Sequence, residues 1–304
     1  MEIPKELFEL VPESEKKVNE IVRPSVTYFQ DAWRRLKKNK LAMLGLIMII
    51  IIAIFSIFGP IFSKFNYYSN DFSVANNGPN FIHPFGTDQF GRDEFTRIMY
   101  GGRISLTIAL VASIISFGIG IIYGGISGFF GGTVDTIMMR VVEGVSSVPF
   151  MIYVILIMVI MGAGMKSIII AIAATYWVDM ARIVRGEILQ LKQQEFVLAA
   201  RTLGASNMRI IIKHLLPNSM GPIIVTLTLN IPAAIFTEAF LSFVGLGIPA
   251  PQASWGTLCS DSLSSYTLFP MQLLFPALAI CLTMFAFNFL GDGLRDALDP
   301  KMRR

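Results

Sequence analysis

Residues Glu195–Asn218 read EFVLAARTLGASNMRIIIKHLLPN, a polar-interrupted segment between long apolar runs. In its first part Phe196, Ala199, Ala200 and Leu203 recur at helical spacing and define one apolar face. Gly204 is expected to break this helix, since glycine takes up the left-handed backbone of a C-terminal cap without steric cost. Ser206 is placed to cap a second helix, in which Met208, Ile211, Ile212 and Leu215 form another apolar stripe. Pro217, which has no backbone N–H, is expected to end that helix. The spacing predicts a helix–turn–helix element held between two membrane spans, on the side its basic residues prefer.

The surrounding composition sets the class. Of 304 residues 54% are hydrophobic and only 15% charged, against roughly 25% charged in a soluble domain. The chain reads as an all-α, polytopic membrane protein. Cys259 and Cys281 lie far apart and form no disulfide framework or metal cluster, and two histidines, His83 and His214, do not make a histidine-based metal site. The first apolar run begins near Leu41 after a charged segment, so no cleavable signal peptide is expected.

Six apolar stretches approach the roughly 20 residues needed to cross a bilayer: 41–62, 104–127, 146–164, 167–184, 220–242 and 269–290. Ahead of them, YFQDAWRRLKKNK at 28–40 places Phe29, Trp33 and Leu36 on one face among basic residues, the pattern of an interfacial helix. Basic residues favour the cytoplasmic side. Arg34, Arg35, Lys37, Lys38 and Lys40, the 182–213 loop and the tail residues Arg295, Lys301, Arg303 and Arg304 therefore place both termini in the cytoplasm. The 243–268 loop, expected outside, holds no Lys or Arg. The first outside loop fits less well, because it carries Lys64, Arg92, Arg97 and Arg103.

In that loop Asp88, Arg92 and Asp93 form either a folded ion-pair network or a docking surface for an external partner. Asp179 is expected to pair with Arg182 near the inner interface, and Arg140 with Glu143 one helical turn apart. Asn230 and Glu238 are the polar residues of the fifth span. They should face the bundle or a cavity rather than lipid, either lining a translocation path or bonding between helices.

The Glu195–Asn218 stretch resembles the cytoplasmic coupling (EAA) loop of ABC-importer permease subunits. Ala199, Ala200, Gly204, Leu216 and Pro217 fall at the family's spacings, while Leu198 stands in place of its Glu and His214 in place of its Ile; Glu195 lies three residues earlier. Four further motifs follow that family's order: HPFGTDQFGRD with GGRISL, MRVVEGVSSVP, EAFLSFVGLGIPAPQASWG, and a terminal stretch from Asn288 to Pro300. Together they are similar to the second permease subunit of the dipeptide/oligopeptide/nickel importers.

That resemblance implies six transmembrane helices, an N-terminal interfacial helix and a cytoplasmic coupling-helix loop. It divides the chain into a cytoplasmic segment at 1–40, a first span with external loop at 41–103, and a five-helix permease core at 104–304. Coupling to ATPases would fall to Glu195, Ala199, Ala200, Arg201, Gly204, Leu216 and Pro217. The implied partners are a second, homologous permease subunit, two cytoplasmic ATPase subunits, an external solute-binding protein and the lipid bilayer, with no nucleic acid. ATP and magnesium would sit on the ATPases and no cofactor in this chain, which has no phosphate-binding Gly-x4-Gly-Lys-Ser/Thr loop. A non-enzymatic transport subunit for di- or oligopeptides is the expectation. Nickel or a metal chelate is the alternative solute, and an ion-coupled secondary transporter the alternative class, against which no internal repeat is visible.

Overall fold

The computed structural model describes residues 28–298; the expected features at 1–27, Asp299 and Pro300 lie outside them. Eleven α-helices follow one another: α1 (Tyr28–Lys38), α2 (Lys40–Phe62), α3 (Glu94–Phe130), α4 (Gly132–Ser147), α5 (Phe150–Met161), α6 (Met165–Leu191), α7 (Glu195–Thr202), α8 (Asn207–Ile210), α9 (Leu216–Phe243), α10 (Trp255–Ser262) and α11 (Pro270–Leu298). Among the described residues β structure is limited to one isolated bridge, Thr87 to Asp93.

Among the described residues five segments are long and apolar enough to cross a membrane: α2, α3, α6, the continuous run Asn207–Phe243, and α11. The expected span at 146–164 differs. It is the bent pair α4–α5, turned by 82°. Pro149 cannot donate to the carbonyl of Val145 and forces Val148 out of helical backbone. The Tyr153 hydroxyl donates to the freed Val145 carbonyl at 3.0 Å, so the break is satisfied inside the protein.

The second span also differs at its start. Helix α3 begins ten residues earlier than the apolar run, at Glu94, because Asp93 caps it: its carboxylate accepts from the Thr96 N–H at 2.8 Å.

The core lies between α3, α6 and α9, where Ile108, Ala112, Ile168, Ile172, Ile231 and Ile235 pack together. Helix α6 is central, with 50% of its most apolar window buried, and α2 is peripheral, with 17%. Gly120, Gly124 and Gly128 form a row on α3 that lets α6 approach closely. A Cβ added at Gly124 would overlap the Ala181 carbonyl and lie 2.8 Å from Val184 Cβ.

The bundle has two distinct ends. The loop end carries residues 63–93 and α10. Gln272, at the start of α11, donates to Thr87 O and Asn76 Oδ1 there, each at 2.9 Å. The turn end carries α7 and α8 against the last turns of α3 and α6. Helix α1 lies at the turn end too, with Leu36 buried beside Ala42 and Ala297, while Trp33 stays half exposed.

Gly124→Val is expected to destabilise the bundle by about 1–3 kcal/mol. It should lower the thermal midpoint of detergent-purified protein, whereas Gly118→Val, where an added Cβ meets nothing within 4 Å, should leave it unchanged.

Candidate functional site

The turn end is built around Gly204. Its φ is +78°, and the carbonyls that α7 leaves open are closed by the Gly204 N–H to Arg201 O at 2.9 Å and the Ala205 N–H to Ala200 O at 3.0 Å. Ser206 then caps α8, accepting from the Arg209 N–H. Pro217 does not end the second helix. The chain passes from α8 through a wide π turn at Ile211–Leu215, in which the Leu216 N–H reaches back to Ile211 O, and continues as α9. The extra residue in that turn accommodates the proline without breaking the helix. Pro217 itself sits exposed at the start of α9.

The buried face of this element matches the expected one only at Ala200, Ile211 and Leu215. Val197 and Ala200 point inward with Ile210, Ile211 and Leu215, against Phe129, Val184 and Ile188. Phe196, Leu198, Leu203, Met208 and Ile212 point outward, Leu203 being 87% exposed. Residues 196–200 are all apolar, so spacing alone could not choose the inward face. The Arg201 guanidinium lies over the Phe129 ring at 5.6 Å, and Lys192 Nζ donates to Gly128 O at 2.8 Å. Glu195 and Ala199 are exposed in α7, and Leu216 is half-buried. Together these place an apolar ledge, uncovered among the described residues, at the turn end.

At the loop end Asp88, Arg92 and Asp93 are all buried. Arg92 Nε donates to Asp88 Oδ2 at 2.6 Å, Arg97 pairs with the same carboxylate, and Arg97 reaches Asp261 at 3.4 Å. Asp93 accepts from Thr96 and lies 2.9 Å from His83 Nδ1. Arg103 Nε donates to Ser56 O at 2.8 Å, the carbonyl that Pro60 leaves without a donor in α2. Three of the four basic residues that fitted the outside assignment poorly thus have partners within the protein. At the surface of this loop Asp71 accepts from the Ser73 hydroxyl and N–H, which holds its carboxyl below the usual carboxylate range.

Glu238 is fully enclosed. Ser105 Oγ and Ser242 Oγ each donate to it at 2.9 Å, and the Trp255 N–H donates to Ser105 Oγ at 3.2 Å. The carboxyl therefore ties α3, α9 and the start of α10 together. Asn230, two turns away, is partly exposed as a residue, but its Nδ2 atom is buried and has no partner among the described residues. The expected pairs Arg182–Asp179 and Arg140–Glu143 both form, at 3.1 and 2.7 Å. Among the described residues no three His, Cys, Asp or Glu side chains cluster as a metal site.

The family model for the binding-protein-dependent transport system inner membrane component matches residues 97–304. That for the N-terminal TM domain of oligopeptide transport permease C matches residues 27–79. The chain is 52% identical to the dipeptide transport system permease protein DppC of Bacillus subtilis, over 100% of this chain and 95% of that protein. It is 51% identical to the oligopeptide transport system permease protein OppC of the same organism, over 99% of each. It is 46% identical to OppC of Escherichia coli K12, over 90% of this chain and 92% of that one. An inward-facing structure of the MetNI methionine ABC transporter superposes with a TM-score of 0.56 at 20% identity, covering 67% of this chain and 96% of that chain, a likeness of fold.

The enclosure of Glu238 yields a test between its two roles. Glu238→Ala removes the acceptor of two buried hydroxyls, each worth about 1–3 kcal/mol when left unpaired. It should therefore lower thermal stability, while Glu238→Gln, which keeps an acceptor oxygen, should largely retain it. A Glu238→Ala protein of unchanged stability that fails only in transport would place the residue on the path instead.

Proposed function

The chain belongs to the family of binding-protein-dependent transport system inner membrane components, and from that premise we propose that it is the permease subunit of an ATP-driven importer that carries di- or oligopeptides into the cytoplasm. It is a multi-pass membrane protein and a transport component rather than an enzyme. The names of its relatives support the peptide assignment. A second permease subunit, two cytoplasmic ATPases holding ATP and magnesium, and an external binding protein complete the assembly. The turn end faces the cytoplasm, a reading supported by the basic residues of α1 and by Arg201, Arg209 and Lys213.

The observation that carries the coupling role is the exposed apolar ledge of α7 and α8. Apolar side chains such as Leu198, Leu203 and Met208, left in water together, mark a surface that another protein covers. ATPase closure would push this ledge. From there the helical run Asn207–Phe243 extends without interruption to the Glu238 cluster at the loop end. A continuous helical connection between the two ends, jointed at the π turn, turns movement of the ledge into movement of the span, and so into alternating access. Glu195, Ala199, Ala200, Arg201 and Gly204 form or flank the pushed surface, and Leu216 and Pro217 form the joint with α9.

Cells lacking this chain are expected to lose growth when an essential amino acid is supplied only as short peptides, with labelled nickel uptake unchanged. Loss of nickel uptake alone would overturn the peptide assignment. Complementation with Gly204→Asp, where the added side chain meets no neighbour but φ is positive, should restore the protein to the membrane without restoring peptide uptake. Normal uptake by that variant would overturn the lever.

A further inference from the structure

The loop-end half of α2, the peripheral span, borders a groove of about 540 Å³. Ile54, Phe55, Phe58 and Phe62 of α2 line it, with Phe95 and Met99 of α3. The two helices meet closely there because Gly59 has no side chain: a Cβ would overlap Met99 Sδ. Phe81 and Ile82, from the loop at 63–93, line the groove as well. The turn that carries them is fixed. Asn80 Oδ1 accepts from the N–H groups of Ile82 and His83 at 2.9 and 2.8 Å, and the Asn80 N–H donates to His83 O at 2.9 Å. His83 is itself buried, with Nδ1 2.9 Å from Asp93 Oδ1 and its ring 4.6 Å from that of Phe65. The loop therefore holds Phe81 fully exposed, with Ile82 and Phe62 also largely exposed around the same groove. Lys64 lines it too. It is the fourth of the basic residues that fitted the outside assignment poorly, exposed and without an ion pair among the described residues.

We propose that this groove binds an anionic phospholipid, one acyl chain lying along its apolar lining and the phosphate meeting Lys64. Three observations favour a lipid over a protein as the occupant. Only 17% of the most apolar window of α2 is buried, so the groove opens sideways and continues into the exposed face of Ile51, Phe55 and Phe58, which hydrocarbon covers in a spanning helix. Its aromatic side chains gather at one end of the span, the level at which rings meet headgroups. Lys64 follows α2 by two residues, where a lysine lays its stem along apolar surface and extends its ammonium to the phosphates. Its unpaired positive charge selects a lipid of net negative charge. Left in water, Phe62 and Phe81 would keep their apolar area exposed; a chain between them removes it from water. The bound lipid then ties the peripheral span to the rigid loop end. The inference needs only that α2 spans a membrane, and it is independent of the solute carried.

The test uses the complete importer in lipid nanodiscs, with Phe62→Trp as the fluorescent reporter. The signal of the unmodified complex, from its native tryptophans, is subtracted. The quenchers are phosphatidylglycerol and phosphatidylcholine brominated on their acyl chains and mixed at known ratios. Both should quench, and phosphatidylglycerol should act as though enriched about fivefold over its mole fraction, the preference that one lysine supplies. Adding Lys64→Gln should abolish the enrichment and leave the quenching. Adding Phe81→Ser should weaken quenching by both lipids. If Phe62→Trp fails to accumulate, Phe58→Trp takes its place as reporter. Quenching in simple proportion to mole fraction would mean ordinary lipid contact, and no quenching by either lipid would mean that protein covers the groove; either overturns the proposal. Enrichment that survives Lys64→Gln would overturn it as well, because the phosphate would then lie elsewhere.

Discussion

A carbonyl that a proline leaves without a donor must find one inside the protein, because the membrane interior holds no water to supply it. Three proline sites in this chain are organised by that requirement. Arg103 donates to Ser56 O below Pro60, Tyr153 to Val145 O below Pro149, and Ser262 Oγ to Gln272 O below Pro276 at 3.1 Å. Each repair ties the proline-containing segment to a neighbour: α2 to α3, α4 to α5, α11 to α10. At Pro217 the solution is the π turn within the helix itself. The prolines thus act as joints whose positions are held by named side chains.

The same demand sorts the charges. At the loop end two arginines and two aspartates form one network, and Glu238 is surrounded by serines. Where this subunit supplies no partner, the exposed surface conflicts with its surroundings. The Asp179 and Arg182 side chains lie open on α6, and apolar groups lie open on α7 and α8 at the turn end. Both conflicts are resolved if the chain works inside an assembly, with a second permease and water on the first surface and an ATPase on the second.

Much of this was legible in residue order. Long apolar runs located α2, α6, α9 and α11, and Gly204 and Ser206 marked the turn because their backbone and capping preferences are local. The start of α3 was missed. Arg92, Asp93, Glu94 and Arg97 read as loop by charge, although Asp93 with Thr96 is an N-cap signal and burial among partners is what makes those charges tolerable. The inward face of α7 was not legible, since an all-apolar stretch has no periodic contrast. The 82° bend before α5 was not legible either, for hydropathy measures length and apolarity but not direction. The enclosure of Glu238 depended on Ser105, 133 residues distant in the chain, which no window of sequence contains.

The central claim is that the outward apolar face of α7 and α8 is where ATP-driven motion enters this chain. A photo-crosslinking amino acid at Leu203, the most exposed residue of that face, tests it directly in the assembled importer. The account predicts a covalent product with an ATPase subunit, its yield changing between nucleotide-free and ATP-trapped complexes. Crosslinks only to lipid or to the other permease, unaltered by nucleotide, would contradict it.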